Sequence, residues 1–176
     1  MVSLETPVCE FDKEAIDFSL PDADGNIWSL EECRGKNGLL VMFICNHCPY
    51  VKAILERLIR DTNELKALGV NSVAIMSNDP SQYAEDSPEN MKKMASKFGF
   101  SFPYLLDSSQ TVAKQYGAVC TPDFFGYNSE LKLQYRGRLD ASRKETAAPD
   151  VKRDLFESMK QVAQNGRGPE EQIPSM

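Results

Sequence analysis

The chain has 176 residues, 41% of them hydrophobic and 26% charged, which is enough apolar material for one sizeable core in an ordinary globular domain. A formal net charge of −6 with no basic stripe argues against nucleic acid or an anionic membrane as partners. No segment approaches the roughly 18 apolar residues that span a bilayer, and the residues before Asp17 carry early acids with no long apolar run, so neither leader nor anchor is expected and the expected location is cytoplasmic.

In chain order, residues 18–30 read as a hairpin, with Asp24-Gly25-Asn26 supplying turn chemistry between two apolar-bearing stretches. Residues 38–44 form a continuous apolar run bounded by turn residues, the pattern of a strand buried on both faces. A helix is expected over 47–68, where Val51, Ile54, Leu55, Leu58, Ile59, Leu65 and Leu68 recur at three- and four-residue spacing before Gly69. Residues 71–76 read as a second buried strand, and a polar stretch from Asn78 leads to a helix over 88–98 that ends at Gly99. Residues 102–106 fit a short extended piece and 109–116 a short helix. Two strands follow at 124–127 and 131–139 around the turn at Asn128, and an amphipathic helix over 150–164 closes the pattern.

This order predicts an α/β fold, a central mixed β-sheet flanked by helices with an N-terminal β-hairpin extension. One domain is expected over 1–165, followed by a flexible C-terminal tail over 166–176, loose by its Gly, Pro and polar composition.

Five cysteines (Cys9, Cys33, Cys45, Cys48 and Cys120) are an odd and uneven set, unlike a secreted disulfide framework. Cys9 and Cys33 read as packing residues. Cys45-Asn46-His47-Cys48 stands where a buried strand gives way to a helix. A sulfur at a helix N-terminus faces unpaired N–H groups and the positive end of the dipole, which favour thiolate over thiol. A second cysteine one turn away can resolve a mixed disulfide. His47, the only histidine, would further favour a thiolate as imidazolium; the competing reading is an exposed polar residue at a helix start. Zinc would need four ligands, and Cys120, Cys33 or a carboxylate would have to complete the set, so no metal is expected.

These motifs resemble the thioredoxin-fold redoxins, in the branch related to alkyl hydroperoxide reductase, thiol-specific antioxidant and TlpA-like proteins. Asp17 to Gly25 with Ser29-Leu30 resembles that family's N-terminal hairpin, Cys45-x-x-Cys48-Pro49 its active site, and Tyr116 to Phe125 the segment bearing its cis-proline. The run from Cys45 to Val51 is similar to a peroxiredoxin-like subgroup. The resemblance implies that Thr121 and cis Pro122 pack against the cysteine pair as a substrate platform, with Cys45 exposed and attacking and Cys48 covered and resolving. Cys120, two residues before that proline, is either a third redox thiol or a filler beneath the site.

The departures from the family are informative. If Cys48 is aligned with a peroxidatic cysteine, the family's Thr or Ser and Pro are Cys45 and Val41 here. Against thioredoxin, the buried acid is Leu39, so proton transfer to the resolving cysteine needs water or another group. The expected function is therefore thiol–disulfide oxidoreductase. The alternatives are a peroxiredoxin-like thiol peroxidase, with Cys48 peroxidatic, and a redox-sensing or metal-binding interaction module. The expected partners are a protein or low-molecular-weight disulfide and an external thiol reductant, with no cofactor.

Overall fold

Strand β3 (Gly38–Phe43), buried along its whole length, is the centre around which a five-stranded sheet is built. The computed structural model describes residues 4–142, 145 and 147–175; of the expected domain and tail, residues 1–3, 143, 144, 146 and 176 lie outside the described residues. The sheet runs β5 (Tyr104–Leu106), β4 (Val70–Met76), β3, β6 (Asp123–Asn128), β7 (Leu133–Tyr135). β4 pairs in parallel with both β3 and β5, whereas β6 is antiparallel to β3 and β7, so the sheet is mixed. Ahead of it stands the expected hairpin, β1 (Ser19–Pro21) against β2 (Ile27–Ser29).

Side chains alternate across a strand, and in β3 that alternation divides the core. Leu40, Met42 and, just beyond the strand, Ile44 pack with α2 (Pro49–Ala67), α3 (Pro88–Phe98) and α5 (Asp154–Asn165). Leu39, Val41 and Phe43 pack on the other face with α1 (Leu30–Cys33), α4 (Thr111–Tyr116) and Phe18. Cys33 is buried in this second cluster, with Cys9 packed against it.

The structure refines several boundaries. Helix α2 starts at Pro49 rather than residue 47, because Cys48 is extended (φ −68°, ψ 122°) and Pro49 takes a first-turn place where its missing N–H costs nothing. Helix α5 starts at Asp154, where Arg138 Nε donates to the carboxylate at 2.7 Å. The last strand shrinks to three residues, since Leu131 sits at φ 58° and a bulge interrupts pairing at Gly126. Helix α1 was not foreseen; a capping box between Ser29 and Glu32 starts it.

Residues 166–175, read from composition as a flexible tail, lie along the edge strand β7 and reach the N-terminal segment. Gln172 accepts from the Arg136 amide at 2.8 Å and donates to the Gln134 carbonyl at 2.9 Å. Ser175 accepts from the Thr6 amide at 3.0 Å and donates to the Pro122 carbonyl at 2.8 Å. The physical reason is the edge itself, whose backbone groups need partners.

Candidate active site

Cys45 lies two residues past the end of β3 and Cys48 is the N-cap of α2. Both therefore stand at the end of the sheet's central strand, where the chain turns into its longest helix. Thr121 faces the pair from the turn before β6, and its peptide bond to Pro122 is cis. Its carbonyl accepts from the Cys48 sulfur at 3.3 Å, and its hydroxyl lies 3.5 Å from the Cys45 sulfur. The structure thus gathers Cys45, Cys48, Thr121 and Pro122 at one place.

The expected exposure of Cys45 is not found: both cysteines are buried. Cys45 is 0% exposed, whereas Cys48 is 9% exposed and lines a cleft of about 530 Å³. Their acidities divide in the same sense. A hydrogen bond from Cys45, aided by Thr121 and by the Val51 and Tyr50 amides at the start of α2, holds the Cys48 thiol well below its ordinary value against the opposing effect of burial. The hydrogen bond to Cys48, then burial, push Cys45 far up. Iodoacetamide is accordingly expected to alkylate Cys48 before Cys45 at neutral pH. Because the lowered group stays thiolate as pH falls, labelling should fade only well below the ordinary thiol midpoint of about 8.5.

His47 is neither free at the helix start nor turned simply toward the sulfurs. Its Nδ1 is hydrogen-bonded to Oδ2 of Asp86, and its ring stacks on Tyr83 with centroids 4.0 Å apart and planes 4° apart. Asp86 ends a 3₁₀ turn (Ala84–Asp86) and is 0% exposed. Its Oδ1 accepts the backbone amides of Asn46 at 2.7 Å and His47 at 3.1 Å, and its Oδ2 accepts Asn78 Nδ2 at 3.1 Å. Asn46 in turn donates to the Glu85 carbonyl at 2.7 Å and accepts from Tyr104 Oη at 2.9 Å. One buried carboxylate thus organises the loop between the two cysteines. Sequence reading missed Asp86 and Tyr83, which sit in a polar stretch with no motif.

Donor atoms of Cys45, His47 and Asp86 lie within 4.8 Å of one another. They number three, and two are already closed on each other by a hydrogen bond. A tetrahedral zinc site would need a fourth ligand beyond this set. Neither Cys33 nor Cys120 joins it.

Cys120 lines the same cleft as Cys48, half-buried, with burial pushing its thiol up to about 12. Asp123, just past Pro122, accepts the Val119 amide at 3.0 Å and pairs with Arg136 at 3.0 Å, which fixes the turn that carries Cys120 and Thr121. Burial holds the Asp123 carboxyl above its ordinary range despite that partner.

The sequence profile of the AhpC/TSA family matches residues 11–139. Among curated proteins, the chain is 27% identical over 105 residues to the thiol-disulfide oxidoreductase ResA of Halalkalibacterium halodurans, covering 60% of this chain and 55% of that protein. It is 28% identical over 109 residues to the peroxiredoxin Bcp of Escherichia coli, covering 62% and 65%. The chain therefore spans less than two thirds of the length of either relative. Among solved structures, an uncharacterized conserved protein of Geobacillus kaustophilus superposes with a TM-score of 0.92 at 44% identity, covering 99% of this chain and 93% of that one. The thioredoxin domain of a Bacteroides vulgatus thiol-disulfide oxidoreductase superposes at 0.64 with 19% identity, covering 87% and 97%; this likeness shows the thioredoxin-like fold alone.

Proposed function

Since the chain belongs to the AhpC/TSA family, we propose that it is a thiol–disulfide oxidoreductase in which Cys48 attacks and Cys45 resolves. The carrying observation is the disposition of the two sulfurs: Cys48 opens to the cleft at a helix start, and Cys45 lies sealed behind it. The assignment of roles expected from the resemblance is thereby exchanged.

In the first step the Cys48 thiolate attacks one sulfur of a substrate disulfide and displaces the other as a thiolate, leaving a mixed disulfide. In the second, Cys45 gives up its proton and attacks the Cys48 sulfur, displacing the remaining substrate thiolate and closing the Cys45–Cys48 disulfide. Two electrons have passed from the dithiol to the substrate. An external thiol reductant returns them. Thr121 and Pro122 form the wall against which the substrate's sulfur is held, and the substrate is a protein or low-molecular-weight disulfide. A reducing, cytoplasmic setting fits the odd and uneven set of five cysteines. Among the described residues no helix is long and apolar enough to cross a membrane.

A second reading, thiol peroxidase with Cys48 peroxidatic, is favoured by the same exposure of Cys48 and by the likeness to a peroxiredoxin. It meets a local obstacle. The positions that orient peroxide in that family are Cys45 and Val41, and Val41 is buried within β3 with no polar side-chain atom to offer. The test exposes reduced protein to a small disulfide or to hydrogen peroxide, with formation of the Cys45–Cys48 bond followed by timed alkylation and mass spectrometry. Peroxide is expected to be the slower oxidant, because a transition-state hydrogen-bond donor worth about 10²-fold is missing. Faster oxidation by peroxide would replace the proposal with the peroxidase reading.

A further inference from the structure

The resolving step poses a problem that the proposed function leaves open. Cys45 must lose a proton inside a site with no solvent exposure. The strand position that holds an acid in thioredoxin is Leu39, which packs on the opposite face of the sheet. A proton acceptor must therefore come from elsewhere in the chain.

We infer that the His47–Asp86 pair is the acceptor, taking the proton from the Cys45 sulfur as Cys45 attacks Cys48 and passing it to the cleft. This inference rests on the oxidoreductase reading and on the order of attack given above. The geometry supports it in three respects. The Cys45 sulfur, a His47 ring nitrogen and an Asp86 carboxylate oxygen lie within 4.8 Å of one another. Asp86 is fully buried and fixed by the amides of Asn46 and His47 and by Asn78, so it cannot turn away. His47, with 21% of its side chain exposed, lines the cleft together with Tyr83 and Asn78, so the triad reaches from a sealed sulfur to solvent. The negative charge of Asp86 is also felt at Cys45, where it opposes a lasting thiolate and favours transfer only as the new bond forms.

The other titratable groups around the triad are few. Cys48 faces it from the start of α2, and Tyr104 from β5 through Asn46. Tyr83 covers His47 from the loop, and beyond it Lys52 and Glu85 form an ion pair at 2.8 Å on the surface. Cys48 also stands against Cys45 and at the cleft, but it is the sulfur under attack; among the others, only the His47–Asp86 pair is so placed. The step balances: the Cys45 S–H bond and the Cys48–substrate S–S bond break, the Cys45–Cys48 bond forms, the substrate leaves as thiolate, and the proton resides on the pair before reaching solvent. On reduction the same path returns a proton to Cys45.

The competing account is that Asp86 merely shapes the loop by holding two backbone amides. The two accounts differ in pH dependence. Reduced full-length protein is mixed with the aryl disulfide dithiobis-nitrobenzoate, quenched with acid at timed intervals, and the Cys48 peptide is weighed. Appearance of the aryl adduct reports attack by Cys48, and its conversion to the Cys45–Cys48 disulfide reports resolution. In Asp86→Asn, resolution at neutral pH is expected to slow by about 10²-fold, the scale of general base catalysis. It should then recover by about tenfold per pH unit as hydroxide takes over the deprotonation of Cys45. The wild-type chain should show no such rise. Resolution that is unchanged, or reduced by the same factor at every pH, would overturn the relay in favour of the loop-shaping account. If Asp86→Asn does not fold, His47→Gln, which keeps a polar side chain but cannot carry the proton, is read by the same two criteria. If no adduct forms on Cys48 in the wild type, the oxidoreductase reading fails and the relay with it; an adduct that forms and resolves normally in both variants removes the relay alone.

Discussion

Cys48→Ser is expected to abolish disulfide reduction, leaving only the background rate of the reductant, whereas Cys45→Ser should complete one half-reaction and stop. The asymmetry follows from which sulfur can reach a substrate. Cys48 lines the cleft and is held as thiolate by Cys45, Thr121 and the first amides of α2. Cys45 has no exposure, and its proton is held tightly. A serine hydroxyl at position 48 offers no comparable anion, and Cys45 cannot replace it from behind. In Cys45→Ser the attacking sulfur remains, so about one equivalent of substrate should be found covalently on Cys48. Each unit of pKa lowering raises the thiolate fraction tenfold below the midpoint but costs about threefold in intrinsic nucleophilicity. The lowered pKa of Cys48 therefore extends activity toward acid more than it speeds attack at neutral pH. A steady-state disulfide-reduction assay with mass analysis of each variant checks both expectations. A mixed disulfide accumulating on Cys45 in Cys48→Ser would restore the roles the resemblance implied.

The largest effect on stability is expected from Arg136→Leu. Arg136 lies over the Phe125 ring at 4.3 Å, donates to the Gly117 carbonyl at 3.0 Å and pairs with fully buried Asp123. Leucine fills much of the space but leaves a carboxylate with no cation in the interior. Breaking such a pair on one side costs about 3–5 kcal/mol, which for a chain of this size lowers Tm by about 6–20 °C. The Asp123 carboxyl already stands above its ordinary range because of burial, and losing Arg136 drives it further toward the protonated form. Since Asp123 anchors the Val119 amide, the damage should extend to the Thr121 wall. Calorimetry on the reduced protein measures the shift; a change of less than about 2 °C would show that the pair is dispensable.

Much of the fold was legible because its signals are local. The apolar run of β3 sits between Gly38 and the cysteine motif, and α2 ends at Ala67, just before Gly69, which takes φ 84°. The cysteine pair and Thr121-Pro122 were legible as motifs, and their meeting followed from the resemblance. What escaped was long-range. Asp86 lies 39 residues from His47 in sequence, and the stretch around it shows neither periodicity nor spacing that would tie it to the cysteines. Burial of Cys45 and Cys48 depends on residues brought up from elsewhere in the chain, Thr121 beside both sulfurs and Asp86 near Cys45, which adjacency in sequence does not report. The tail was read from composition, which is blind to the hydrogen bonds that Gln172 and Ser175 make with particular backbone atoms.

The central claim is that Cys45 and Cys48 form one reversible two-electron couple poised by a stabilised Cys48 thiolate. Equilibration of the protein in glutathione buffers of graded potential, with alkylation and mass spectrometry of each cysteine peptide, tests it most directly. The predicted result is a single transition in which Cys45 and Cys48 protect each other from alkylation together. Its midpoint should be more oxidising than thioredoxin's roughly −270 mV, by about 30 mV for each pKa unit by which the Cys48 thiolate is the more stable. Cys45 remaining a free thiol throughout, with Cys48 paired to Cys120 or to glutathione instead, would contradict the account.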